Sequence, residues 1–264
     1  MKTLYIDCFS GISGDMFIGC LLDAGADPSV LEEELKKLHF EDEYQLNWKK
    51  IVKNGITSTK FDVLLTRADD HGHHHEHDHH HEHDHHHHHH HEHNHHHRSY
   101  SDIVKMIEAS ELASEVKVTS LKIFRKIGEA EGHIHGVPLE KVHFHEVGAV
   151  DSIIDIVGAA ILLHQLDIKK IKSSAIPVGT GRIHIDHGIY PVPAPATLEI
   201  LKGVPIEQSN VKFELTTPTG AAIVAVLAEE FCTIPSMEVK SIGYGAGTKN
   251  FKDRPNVLRV IIGE

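Results

Sequence analysis

Cysteine is scarce in this chain of 264 residues: Cys8, Cys20 and Cys232 are widely spaced and form no CxxC pair. Three thiols cannot all pair, which excludes a disulfide framework and points to a reducing, cytoplasmic setting. Positive charge is also short. Lys and Arg number 26 against 38 Asp and Glu, a formal net charge of −12 with His neutral. A nucleic-acid surface needs basic groups, so that class of partner is excluded; the balance suits attraction of cations. No apolar run reaches the ~20 residues of a membrane span. The amino terminus, MKTLYIDCFSG, meets an aspartate at position 7 and does not read as a signal peptide. No internal repeat is evident.

What is present alternates. Residues 2–6 read as a strand, followed by a glycine turn (Gly11, Gly14) and an apolar helix to Ala24, with Gly25 and Pro28 as its stop. A surface helix from Pro28 to Leu38 comes next, then a hairpin over residues 44–66 turning at Asn54-Gly55. Lone Trp48 reads as packing. Helical periodicity returns from Arg98 to Gly132, with Ser101 or Asp102 and then Ser114 or Thr119 as candidate caps. Residues 171–178 read as a buried strand, ATLEILKG as a helix behind Pro195, and Pro218 as the first position of another helix. Glycine-rich IGYGAGTKNF reads as mobile, and VLRVIIG as a closing strand. The pattern predicts an α/β (or α+β) chain, a mixed sheet with flanking helices in one domain over residues 1–264.

Two stretches carry chemistry. In VHFHEVGAVDSIIDIVGAA, His143 and His145 are two apart and share one side of an extended strand. Glu146 follows, and Asp151 and Asp155 then stack four apart on a helix face. Asp155 is the only charge between Ile153 and Leu163. A helix apolar nearly all round is buried, and a buried carboxylate needs a cation, a metal or a proton. Each residue alone has a bland explanation in capping or core hydrogen bonding; together they suit a divalent transition metal. A second pair, His133 and His135, precedes them, and His184 and His187 follow.

The other stretch runs from His71 to His97 and holds twenty histidines among its 27 residues, interleaved with acids. No core can form from it, so a disordered internal loop is expected. Its imidazoles, among them His73, His75, His77, His79, His81, His83, His85, His87, His89, His91 and His93, suit Ni, Zn, Cu or Co. Many overlapping sites mean storage or delivery, since nothing fixes one geometry.

Two helix starts offer backbone N–H groups to an anion such as phosphate: Ser13-Gly14-Asp15, and Thr217, Thr219 and Gly220. Ordinary capping explains both equally well. Neither is a P-loop, because no lysine follows Gly14. Asp7 and Asp15 are expected near each other, which leaves a second metal or acid/base role open.

Taken together, MKTLYIDCFSGISGDMF, the polyhistidine loop before RSYSDI, VHFHEVGAVDSIIDIVGAA, HGIYPVPAPATLEILKG, ELTTPTGAA and GYGAGTKNFKDRPNVLRV resemble the LarC family of nickel insertion proteins. The resemblance runs from Met1 to about Gly263. It implies insertion of Ni(II) into pyridinium-3,5-bisthiocarboxylic acid mononucleotide, forming the pincer cofactor of lactate racemase. CTP hydrolysis with Mn(II) or Mg(II) drives the step in full-length members. They carry a further C-terminal domain associated with CTP, which would begin where this chain stops, so a chain supplying that domain is an expected partner. Apo lactate racemase is the expected recipient, and a homo-oligomer is expected. His143, His145, Glu146, Asp151 and Asp155 would hold one ion, with Glu146, Asp151 or Asp155 accepting the proton lost when carbon is metallated. The Ser13 turn or the Thr217 helix start would take the substrate's phosphate. The alternatives are a non-catalytic nickel store or metallochaperone and, behind it, a His-x-His hydrolase, for which the chain is short.

Overall fold

The computed structural model of the protein describes residues 1–66, 98–144, 150–185 and 188–264. The expectations for His71–His97 and for His145, Glu146 and His187 lie outside these residues. In chain order the strands are β1 (Thr3–Asp7), β2 (Tyr44–Lys53), β3 (Ile56–Leu65), β4 (Lys170–Ser173), β5 (Ile176–Pro177), β6 (Arg182–Ile185), β7 (Gly188–Pro191), β8 (Ile206–Glu207), β9 (Glu230–Phe231), β10 (Val239–Ala246) and β11 (Val257–Gly263). The helices are α1 (Gly14–Asp23), α2 (Pro28–Lys36), α3 (Tyr100–Ala109), α4 (Ser114–His135), α5 (Val150–Gln165), α6 (Pro195–Ile200) and α7 (Pro218–Leu227).

Among the described residues a seven-stranded sheet runs β2-β3-β10-β11-β1-β4-β9. It is mixed: β1 pairs antiparallel with β11 and parallel with β4, and β3 lies parallel to β10. The α/β expectation holds. The Asn54-Gly55 hairpin also holds, with Lys53 opposite Ile56 and both turn residues at positive φ, 47° and 85°, as a two-residue hairpin turn requires. Trp48 packs partly buried against the core.

VLRVIIG is the closing strand as expected, and β11 sits between β10 and β1. Other elements differ from the sequence reading. The stretch 171–178 divides into β4 and β5, and β5 pairs elsewhere, with β8. Most instructive is the glycine-rich segment, whose first half is the ordered strand β10. Its glycines admit α1 rather than confer mobility. A Cβ on Gly245 would stand 1.8 Å from Met16 O, and one on Gly243 would stand 2.1 Å from Cys20 O. These absences of side chain let the helix press its backbone onto β10.

Helix α5 is the buried one that its composition requires. From Ser152 to Leu163 it is buried throughout apart from Asp155, and it joins the main core with α1, α2 and α4. Glycine again sets the contact. A Cβ on Gly14 would stand 2.4 Å from Asp155 Oδ2, and one on Gly158 3.0 Å from Ile18 Cδ1. Residues 14 and 18 of α1 thus meet 155 and 158 of α5, and both helices begin at the same end. No helix among the described residues is long and apolar enough to cross a membrane.

Candidate metal and substrate site

The turn after β1 brings this end together. Ser10 is buried; Gly11 has φ 91°, and a Cβ there would also lie 1.9 Å from Leu215 O. Ile12 N donates to Leu215 O at 3.1 Å, and Thr217 N donates to Ile12 O at 3.1 Å. The two helix starts singled out in the sequence are therefore one assembly. Gly220 is part of the seam, with a Cβ there only 2.1 Å from Ile12 O. Thr217 caps α7 by accepting from Gly220 N at 3.2 Å, so that N–H is already used; Thr219 is buried. Ser13 is the N-cap residue of α1, but its hydroxyl makes no cap bond and donates instead to Asp15 Oδ1.

Asp155 lies one turn into α5, against Gly14. Its Oδ1 is buried and has no hydrogen-bond partner among the described residues. Burial pushes its pKa well above the ordinary carboxylate range; the charges of Asp15 and Asp151 push the same way, and Lys60 opposes them. Asp151, exposed at the start of α5, accepts from Ser152 N at 2.8 Å. Asp15 and Asp155 thus share one ammonium, that of Lys60.

That ammonium is the residue sequence reasoning missed. Lys60, in the middle of β3, is only 9% exposed at its side chain and bonds Asp15 Oδ2 at 2.9 Å, Asp62 Oδ1 at 2.7 Å and Phe61 O at 2.8 Å. Burial works against its charge, yet Asp15 and Asp62 outweigh it and its pKa ends above the usual lysine value. No local motif marks it, because its acidic partner Asp15 is 45 positions away.

The other predicted ligands fall differently. Val142 and Phe144 are buried, Phe144 against Phe124 and Tyr100, which leaves intervening His143 exposed on the extended chain. It lies near Asp102 at the start of α3. That carboxyl is held low chiefly by the Ser99 hydroxyl and amide, with Lys105 and His143 adding to the effect. The structure therefore groups Asp151 and Asp155 with Asp15, and places His143 beside another helix start. His133 and His135 do not share a side as a strand pair would, because they lie in the last turn of α4, where two residues span about 200°; His135 Nε2 is 3.2 Å from Glu131 Oε2. His184 is exposed on β6. Asp7 is held by Arg259, its neighbour across β1 and β11, through both Nε and Nη2. Among the described residues no three His, Cys, Asp or Glu side chains form a ready metal-binding group. What the site offers is an orphaned buried carboxylate oxygen under the negative charge of two further carboxylates, surroundings that disfavour an anion.

Residues 4–264 match the family model described as Nickel insertion protein. A protein of Geobacillus kaustophilus named pyridinium-3,5-bisthiocarboxylic acid mononucleotide nickel insertion protein is 54% identical over 264 residues, all of this chain and 60% of that protein. The protein of the same name in Clostridium kluyveri is 49% identical across the whole chain and 62% of its own length, and a putative nickel insertion protein of Citrifermentans bemidjiense is 46% identical with the same coverage. The chain thus spans about 60% of the length of these relatives. No solved structure matches it. With all but its first three residues inside the match, this chain belongs to the nickel insertion protein family.

Proposed function

We propose that this chain captures Ni(II) and inserts it into pyridinium-3,5-bisthiocarboxylic acid mononucleotide, the compound named for its relatives. The observation that carries the reading is Asp155 Oδ1, buried and unpartnered beside Asp15 and Asp151. Such an oxygen is costly to bury unless something binds it, and a divalent ion answers that need. Nickel is cargo here. The histidines of 71–97 gather it, and Asp151 and Asp155, with Asp15 added by the fold and His145 and Glu146 by the sequence, hold it for transfer; His143, beside Asp102, stands apart from them. Metallation of a ring carbon releases a proton. A carboxylate of raised pKa accepts that proton better than an exposed one does, which assigns the role to Asp155, with Asp151 and Glu146 as neighbours. Lys60 stays paired with Asp15 meanwhile.

The fuller reaction forms part of the same proposal: CTP with Mn(II) or Mg(II) drives turnover, a C-terminal domain supplies CTP binding, and apo lactate racemase receives the product in the cytoplasm. The second reading, a non-catalytic nickel store, is favoured by the twenty histidines of 71–97. One experiment separates them. The polypeptide is given the mononucleotide, Ni(II), CTP and Mn(II), and the product is followed by mass spectrometry and by activation of apo lactate racemase. Insertion by the parent chain and its loss in Asp155→Asn support the enzyme. A chain that binds several nickel ions but no mononucleotide is a store, and insertion by Asp155→Asn at the parental rate removes Asp155 from the chemistry.

A further inference from the structure

The carboxylate site leaves a problem of charge. A mononucleotide with two thiocarboxylates and a phosphate is a polyanion, and Asp15, Asp151 and Asp155 repel it until nickel arrives. Its positive counterpart lies on the same edge of the fold, in the connection between β10 and β11. Residues 247–256 carry Lys249, Lys252 and Arg254 against a single acid, Asp253. Lys249 and Lys252 are exposed. Arg254 Nε is buried without a hydrogen-bond partner among the described residues, its nearest ion being Asp253 at 3.9 Å.

This loop is held, not loose. Buried Lys53 donates to Thr248 O at 3.2 Å, Lys249 O at 3.1 Å and Asn250 Oδ1 at 2.6 Å. Burial, and then the charge of Lys60, lowers the Lys53 pKa. Asn256 Nδ2 donates to Lys249 O at 3.0 Å, and Ser10 Oγ to Pro255 O at 2.8 Å. The last contact ties the loop to the turn that leads into Ser13. Phe251 meets Phe213 with ring centroids 6.0 Å apart, and Lys249 Nζ stands 5.6 Å from the Phe213 ring centre. Phe213 itself lies two residues before Leu215, which accepts from Ile12. Cations and half-buried aromatic rings on a fixed loop suit a phosphate joined to a flat ring.

Resting on the nickel-insertion reading, we propose that Lys249, Lys252 and Arg254 bind the phosphate of the mononucleotide, with Phe213 and Phe251 as the ledge for its ring. Anion and metal are thereby held by separate parts of one edge, and the helix starts at Ser13 and Thr217 are left to pack.

The test is calorimetric titration of the whole chain with the pyridinium mononucleotide, with the corresponding riboside lacking phosphate, with CTP and with Ni(II). The triple variant Lys249→Ala, Lys252→Ala, Arg254→Ala is expected to bind the mononucleotide at least about tenfold more weakly, with riboside and nickel binding unchanged. Unchanged mononucleotide affinity overturns the assignment and leaves the nickel reading standing; so does a loss confined to CTP. Absence of mononucleotide binding by the parent chain overturns both.

Discussion

Gly14→Ala tests in one substitution whether the fold and the site share a contact. The new Cβ would lie 2.5 Å from Asp155 Cβ, 2.4 Å from its Oδ2 and 2.7 Å from its Cγ. Carbon atoms pack best at about 3.5–4.0 Å, so the overlap is about 1 Å. Rotating Asp155 does not relieve it, because both Cβ atoms are fixed to backbone; the first turns of α1 and α5 must part. Overpacking of this kind costs about 1–3 kcal/mol. Helix propensity returns little, since Gly14 is the first residue of α1. A cost of that size lowers the melting midpoint by about 2–4 °C per kcal/mol in a chain of this length, hence by several degrees. Gly158→Ala is the control at the same helix pair. There the new Cβ meets only the flexible ends of Ile18 and Leu31, at 3.0 and 3.1 Å, which can turn aside, so the cost stays at the low end of that range, about 1 kcal/mol. Calorimetric melting with nickel titration of both variants is the assay. Gly14→Ala should melt lower than Gly158→Ala and bind nickel at least about tenfold more weakly, because Asp155 is displaced. Equal melting and parental nickel affinity in both would refute the shared contact.

Asp155→Asn in nickel-free protein should be more stable than the parent above the ordinary carboxylate range. The folded state of the parent retains a proton that the unfolded chain has released, so parental stability falls as pH rises from about 4 toward the raised pKa. The gap should close near pH ~4 in urea melts; a variant less stable at pH 8 would mean that the carboxylate is structural. Lys60→Met leaves Asp15 and Asp62 unpaired. With those acids partly solvated, a loss of about 1–3 kcal/mol is expected by denaturant titration, and an unaltered midpoint would dismiss the pairing. Deleting His71–His97 should lower the number of nickel ions bound and flatten the fall in uptake below pH ~6.5, where imidazoles protonate. Insertion should persist at excess nickel, and its complete loss there would end the storage role.

The periodic signals were legible because they are local. An apolar helix with one aspartate had to be buried, Asn54-Gly55 had to turn a hairpin, and Thr217-Pro218 had to start a helix, as the fold bears out for each. The density of histidine in 71–97 needs no fold to suggest metal. Partnership was a different matter. That Asp15 joins Asp155, that Lys60 sits between Asp15 and Asp62, and that Asp7 is taken by Arg259 are facts of pairs up to 252 residues apart. Glycine misled most: Gly243 and Gly245 look like flexibility in one dimension, yet they are absences of side chain that let α1 lie on the sheet. Spacing along the chain determines which residues share a face. Only the packed backbone decides which faces meet, because close approach depends on the atoms of both partners at once.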